Sequence, residues 1–244
     1  MNKRLLGQVL ALVMLLSLAN GCTLIDRYFM EPPDDTAQEL FENGQDAMAQ
    51  KEYSNAAEYF QKLKDRYPFS PYTPQAELGL GDAYFLNEKY VESAGAYKEF
   101  EALHPRHEEM PYVLYQIGMS DYRQFASIDR PQQNITEALE YFYKLREMYP
   151  GSKYAEEAPN LIQKCRSFLA DHELYVADFY WASERFGPAW QRYTHVVQNF
   201  QDVPKAAEYA RQKAKLAYYE YQKQLAERER VKEHGSWKQW FDWL

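Results

Sequence analysis

The chain has 244 residues, a formal net charge of −8, 16% aromatic residues including 22 Tyr, only 10 Gly, and just two cysteines. An acidic balance of this size argues against nucleic acid as the main partner. Two cysteines rule out a disulfide framework, so the fold rests on packing.

The first element is a leader. Lys3 and Arg4 precede an apolar run from Leu5 to Leu18 that is broken only by Gly7, Gln8 and Ser17, and Ala19-Asn20-Gly21 then leads to Cys22. The run falls short of the roughly 20 residues that a membrane-spanning helix needs. It fits the hydrophobic region of a secretory signal. A cysteine directly after small residues predicts cleavage before Cys22 and covalent lipid on its thiol. Residues 1–21 are therefore read as a lipoprotein signal peptide. Residues 22–35, with Pro32-Pro33 and Asp34-Asp35, are read as an extended tether. Thr23, rather than aspartate, after Cys22 favours an outer-membrane address.

Beyond the tether the chain repeats itself. Gly44, Gly81 and Gly118 stand 37 residues apart. Ala56 and Ser93 follow the first two, then Phe60 and Tyr97, Leu63 and Phe100, and Pro68 and Pro105. The third unit supplies Ala138, Phe142, Leu145 and Pro150 after extra residues from Ala126 to Gln133. Glycine lets paired helices cross closely, and the aromatic fills the gap to the next unit. Proline then ends the second helix. A single hairpin cannot bury its apolar face alone, so the pattern must recur. This is tetratricopeptide-repeat (TPR) spacing, and it predicts an all-α, TPR-like solenoid of about five helical hairpins. Leu40, Glu77 and Leu114 lead the units, and Glu77 breaks the apolar pattern. A looser fourth unit opens with a long helix from about Ala155 to Tyr180 and continues through Ala189, Tyr193 and Val196, ending at Phe200-Gln201 where proline is missing. A last helix is expected from Pro204 to about Glu233, and residues 234–244 form an aromatic tail.

The charge is polarised. Residues 31–110 hold 17 acidic and 7 basic side chains, whereas residues 205–238 hold 9 basic and 5 acidic. Two faces for two partners are implied. Other candidate sites read blandly. Cys165 is expected as a buried small apolar side chain. His104, His107, Glu108 and Glu109 gather round Pro105 without metal-ligand spacing and read as a solvated turn. The chain contains no nucleophile elbow, phosphate loop or paired-cysteine zinc motif.

These features together resemble the YfiO family, the BamD lipoproteins of the outer-membrane β-barrel assembly machine. The resemblance runs from about Cys22 to Lys223. It is carried by Arg66-Tyr67-Pro68-Phe69-Ser70-Pro71-Tyr72, Tyr112-Val113-Leu114-Tyr115-Gln116-Ile117-Gly118, Asp129-Arg130-Pro131-Gln132-Gln133, Tyr149-Pro150-Gly151-Ser152-Lys153-Tyr154-Ala155 and His172 to Tyr180. The loop before Asp129 is shorter than is usual in the family, and the tail after Gly235 has no counterpart there.

The resemblance implies a non-catalytic subunit without cofactor, lipid-anchored at Cys22 on the periplasmic face of the outer membrane. It implies that residues 36–125 form a groove for unfolded outer-membrane proteins, with Tyr67, Phe69 and Tyr72 contributing. Residues 126–233 would dock on the barrel-forming, BamA-like subunit through Arg192, with accessory lipoproteins as further partners. The rival readings are another periplasmic TPR lipoprotein, such as a secretin pilotin or a cell-envelope coordinator, and an enzyme carrying TPR units. No catalytic constellation in the sequence supports the last.

Overall fold

The computed structural model describes residues 35–235. The signal peptide, Cys22 and residues 236–244 of the aromatic tail lie outside them. Nine helices form in chain order among the described residues: α1 (Ala37–Ala49), α2 (Tyr53–Arg66), α3 (Thr73–Leu86), α4 (Tyr90–Leu103), α5 (Met110–Arg123), α6 (Gln133–Met148), α7 (Lys153–Ala182), α8 (Phe186–Asn199) and α9 (Pro204–His234). No strand occurs among these residues. Successive helices pack as neighbours, which is the connectivity of a helical-repeat solenoid. None of the described helices is long and apolar enough to cross a membrane.

Local sequence sets each helix start and stop. Thr36 and Glu39 form a capping box at α1, with the Glu39 carboxylate accepting from the Thr36 N–H at 2.8 Å. Ser152 caps α7 by accepting from the Ala155 N–H at 3.1 Å. The turn inside units one, two and four places Lys51, Glu88 and Glu184 at positive φ. The third unit replaces that turn with the loop 124–132. The turns between units also match one another. Tyr67, His104, Tyr149 and Phe200 have nearly the same φ and ψ, and each N–H bonds the carbonyl four residues back. Phe200-Gln201 thus makes the proline turn without proline.

The glycine–aromatic pairs hold the crossings together. A Cβ at Gly81 would lie 2.7 Å from Tyr97, and one at Gly118 would lie 2.6 Å from Phe142. Phe60 is gripped from both sides, by Gly44 of its own unit and by Gly79 of the next. Buried Ser93 donates to the Gly81 carbonyl at 3.0 Å, so the small polar residue at this crossing is satisfied.

Glu77 and His104 correct the sequence reading. His104 is not in a solvated turn: its Nε2 meets the buried Glu77 carboxylate at 2.6 Å, and its ring packs on Phe100. The polar residue at the leading position is tolerated because the turn that closes the same unit returns a partner to it.

Buried side chains form three clusters. One joins α1 to α4 around Leu40, Phe60 and Leu80. The second runs from Tyr97 to Cys165, so the expected boundary at residue 125 falls inside a core. The third holds Ala170, Ala177, Tyr193 and Ala210. α7 serves the last two clusters in turn, with Leu169 bordering both.

Candidate peptide groove and docking face

The three turn residues singled out by sequence have three different environments. Phe69 is 99% exposed. Tyr72 is half-buried and stacks on Phe41, with ring centroids 5.3 Å apart. Tyr67 is half-buried and donates its hydroxyl to the Asp35 carbonyl at 2.8 Å, which ties the start of the first unit to its end. Thr73 donates to the Tyr67 carbonyl at 2.6 Å and closes the turn. The rigid turn thus holds one bare aromatic outward and one aromatic beside Phe41.

Phe41 opens onto a groove of about 590 Å³ formed by α1, α3 and the start of α5. Phe41, Met48, Phe60 and Leu78 give it apolar surface, while Gln45 and Gln75 supply amides. Asp82, Glu108 and Glu109 supply carboxylates. A groove with apolar seats and flanking amides suits an extended peptide, whose backbone the amides can pair.

Sequence reasoning missed the polar centre of this groove. Tyr97, at 2.5 Å, and Tyr112 both donate to Oδ1 of Asp82, and Gln116 donates to the Tyr112 hydroxyl at 2.8 Å. Burial pushes the Asp82 carboxyl above its usual range, against the opposing hydrogen bonds from Tyr112, Tyr97 and Gln116. Burial, reinforced by the carboxylate, also raises both phenols. The arrangement recurs in the fourth unit, where Tyr193 and Tyr209 donate to Oδ1 of Asp178. A signal was present, because aspartate and tyrosine stand 15 residues apart in both units.

Arg192 lies on α8, away from the buried face made by Ala189, Tyr193 and Val196. Its Nη1 reaches both carboxylate oxygens of Glu173 on α7, at 2.8 and 2.9 Å, and the side chain stays 44% exposed. Arg166 bridges α7 to Asp202 and to the Asn199 carbonyl, pinning the α8–α9 turn. Cys165 is fully buried, and desolvation pushes its thiol up to about 12. No cluster of three or more metal-ligating side chains occurs among the described residues.

A family profile described as YfiO, outer membrane lipoprotein, matches residues 33–234. The outer membrane protein assembly factor BamD of Vibrio cholerae is 30% identical over 225 residues, spanning 88% of this chain and 90% of that protein. The BamD of Neisseria meningitidis serogroup A is 25% identical over 189 residues, spanning 73% and 71%. That of Rickettsia prowazekii is 27% identical over 169 residues, spanning 69% and 67%.

Proposed function

This chain belongs to the YfiO family of outer membrane lipoproteins, and on that premise we propose that it is a non-catalytic subunit of the machinery that assembles β-barrel proteins into the outer membrane. The observation that carries the reading is the alignment with an outer membrane protein assembly factor along almost the whole of both chains. A repeat fold with an apolar-floored groove among α1, α3 and α5 is compatible with it. Solenoids present extended concave surfaces to partner chains.

In this reading Cys22 carries the lipid that holds the protein on the periplasmic face of the outer membrane. Several acyl chains give stable attachment where one is marginal. The groove receives unfolded outer-membrane proteins. Phe69 makes first contact, Tyr72 extends the wall beside Phe41, and Tyr67 braces the turn. Arg192 docks on the BamA-like barrel-forming subunit by exchanging Glu173 for a partner carboxylate, and accessory lipoproteins attend. No cofactor or nucleic acid takes part. Depletion of the protein in its own cells tests the role. Loss of folded β-barrel proteins from the outer membrane is the expected result. Normal barrel levels with loss of secretin multimers would replace the reading with that of a pilotin.

A further inference from the structure

α7 meets the third unit through a heptad stripe. Leu161, Cys165, Phe168, His172, Tyr175 and Phe179 follow at alternating spacings of four and three, the pattern of a helix–helix seam. Along its first half the stripe is covered. Leu161 and Cys165 are buried in the core shared with α5 and α6, Phe168 stacks on Phe125 with centroids 4.4 Å apart, and His172 Nδ1 meets the Ile128 carbonyl at 2.6 Å. That loop contact marks the end of the third unit. Past it the same stripe continues bare, with Tyr175 47% and Phe179 61% exposed. The other side of α7 is occupied there, since Ala170 and Ala177 sit in the core shared with α8 and α9.

The cause lies in the lengths. α6 has 16 residues and α7 has 30, so α7 outruns its partner by several turns. Helices α3 and α5 each pack against the even-numbered helices before and after them, whereas the buried residues in the second half of α7 are shared, among the described residues, with α8 and α9. Asp171 lies one turn before Tyr175 on the bare strip. It makes no hydrogen bond or ion pair among the described residues, and desolvation alone raises its carboxyl.

We propose that the strip from Asp171 to Phe179 is a docking site for an amphipathic α-helix of another protein, which continues the seam where α6 stops. The occupant is helical because the strip prolongs a helix–helix seam in register. Its apolar residues repeat every three and four positions to meet Tyr175 and Phe179. A lysine or arginine beside them answers Asp171. From Asp171 to Phe179 the strip is about 12 Å long at 1.5 Å per residue, a little over two turns. It lies off the Glu173–Arg192 face, because Glu173 is about 160° round the helix from Tyr175. The inference therefore does not depend on the assembly role above.

Stapled helical peptides of two heptads test it, added to the mature full-length protein in detergent. One carries leucine at the seam positions with flanking lysines, a second has glutamate for lysine, and a third is the lysine peptide scrambled. The lysine peptide should bind about fivefold more tightly than the glutamate peptide. The scrambled peptide should bind far more weakly than either. Phe179→Ser should weaken binding at least about tenfold, and Asp171→Asn should abolish the preference for lysine. Circular dichroism checks helicity, and Tyr175→Ser serves if Phe179→Ser does not fold. Equal binding of the scrambled peptide, indifference to both aromatic substitutions, or a lysine preference that survives Asp171→Asn would overturn the proposal. So would sedimentation of the wild type as a dimer that Phe179→Ser dissociates, since a second copy would then cover the strip.

Discussion

Replacing Gly81 by alanine measures how tightly the repeat is built. The new Cβ would lie 2.7 Å from Cε1 and Cζ of Tyr97, where ordinary contact begins at 3.4 Å. The ring has little room to yield, because Tyr97 is wholly buried and its hydroxyl is bonded to Asp82 at 2.5 Å. Overpacking of this kind costs about 1–3 kcal/mol. Sliding the ring also weakens a hydrogen bond to a charged group worth about 1.5–3 kcal/mol. Against this, alanine gains about 1 kcal/mol over glycine inside a helix. The expected net loss is about 2 kcal/mol, or a fall in Tm of about 4–8 °C for a chain of this size. Gly95 on α4 provides the control, since a Cβ there meets nothing within 4 Å. Gly95→Ala should raise Tm by about 2–4 °C. Calorimetry of the two variants separates crossing geometry from helix propensity. Tyr97→Phe frees the ring from Asp82 and should reduce the cost of Gly81→Ala in a double-mutant cycle. A Gly81→Ala protein that melts at or above the wild type would refute the close-crossing argument.

Phe69→Ala should leave stability unchanged within about 0.5 kcal/mol yet weaken binding of peptides from barrel C-termini. Tyr72→Ala should lower both, because it loses the stack on Phe41; unaltered peptide affinity in folded Phe69→Ala protein would remove Phe69 from the client surface. Arg192→Glu should change stability by about 1 kcal/mol or less, as the pair with Glu173 is half-exposed. Affinity for the partner's periplasmic domains, read by calorimetric titration, should fall by about 2–5 kcal/mol if Arg192 docks. The Asp82 carboxyl carbon should titrate above 3.8, the ordinary value for aspartate. The folded state then keeps its proton to higher pH than the unfolded chain does. This group's contribution to stability is therefore full below pH 3.8 and declines as pH rises through the folded midpoint. Asp82→Asn should remove that slope from a plot of Tm against pH, and an unchanged slope would count against a raised Asp82.

What was legible in the sequence is what one helix crossing dictates locally. Gly44, Gly81 and Gly118 with their aromatics announce the crossings, because only a missing side chain admits a ring there. The prolines announce the turns, although Phe200-Gln201 shows that the backbone path does not require one. The groove was legible only in outline. Which of Tyr67, Phe69 and Tyr72 faces solvent depends on the approach of Phe41 and Asp35, which come from the other end of the unit. The Glu77–His104 pair is non-local in the same way: each residue alone reads as an exception, and only their contact explains both. The bare strip on α7 combines two facts, a heptad that runs on and a partner helix that stops. The first can be read from spacing and the second needs the end of α6 in space.

The unbroken course of α7 has a consequence for how the two ends of the molecule are phased. No loop interrupts the helix between Lys153 and Ala182, so nothing absorbs a change of length between the third core and the ones before it. One residue inserted near Ala170 would turn everything downstream by about 100° and advance it by about 1.5 Å. The fourth unit and Arg192 would then face a different direction from the groove on the first three. Seven residues would bring the two parts back to within about 20° of their original phase, displaced by about 10 Å along the axis. Insertions of one, two, five or six residues would therefore turn the groove and the Arg192 face at least about 100° apart, whereas three or four, close to one helical turn, or seven, close to two, keep them roughly aligned.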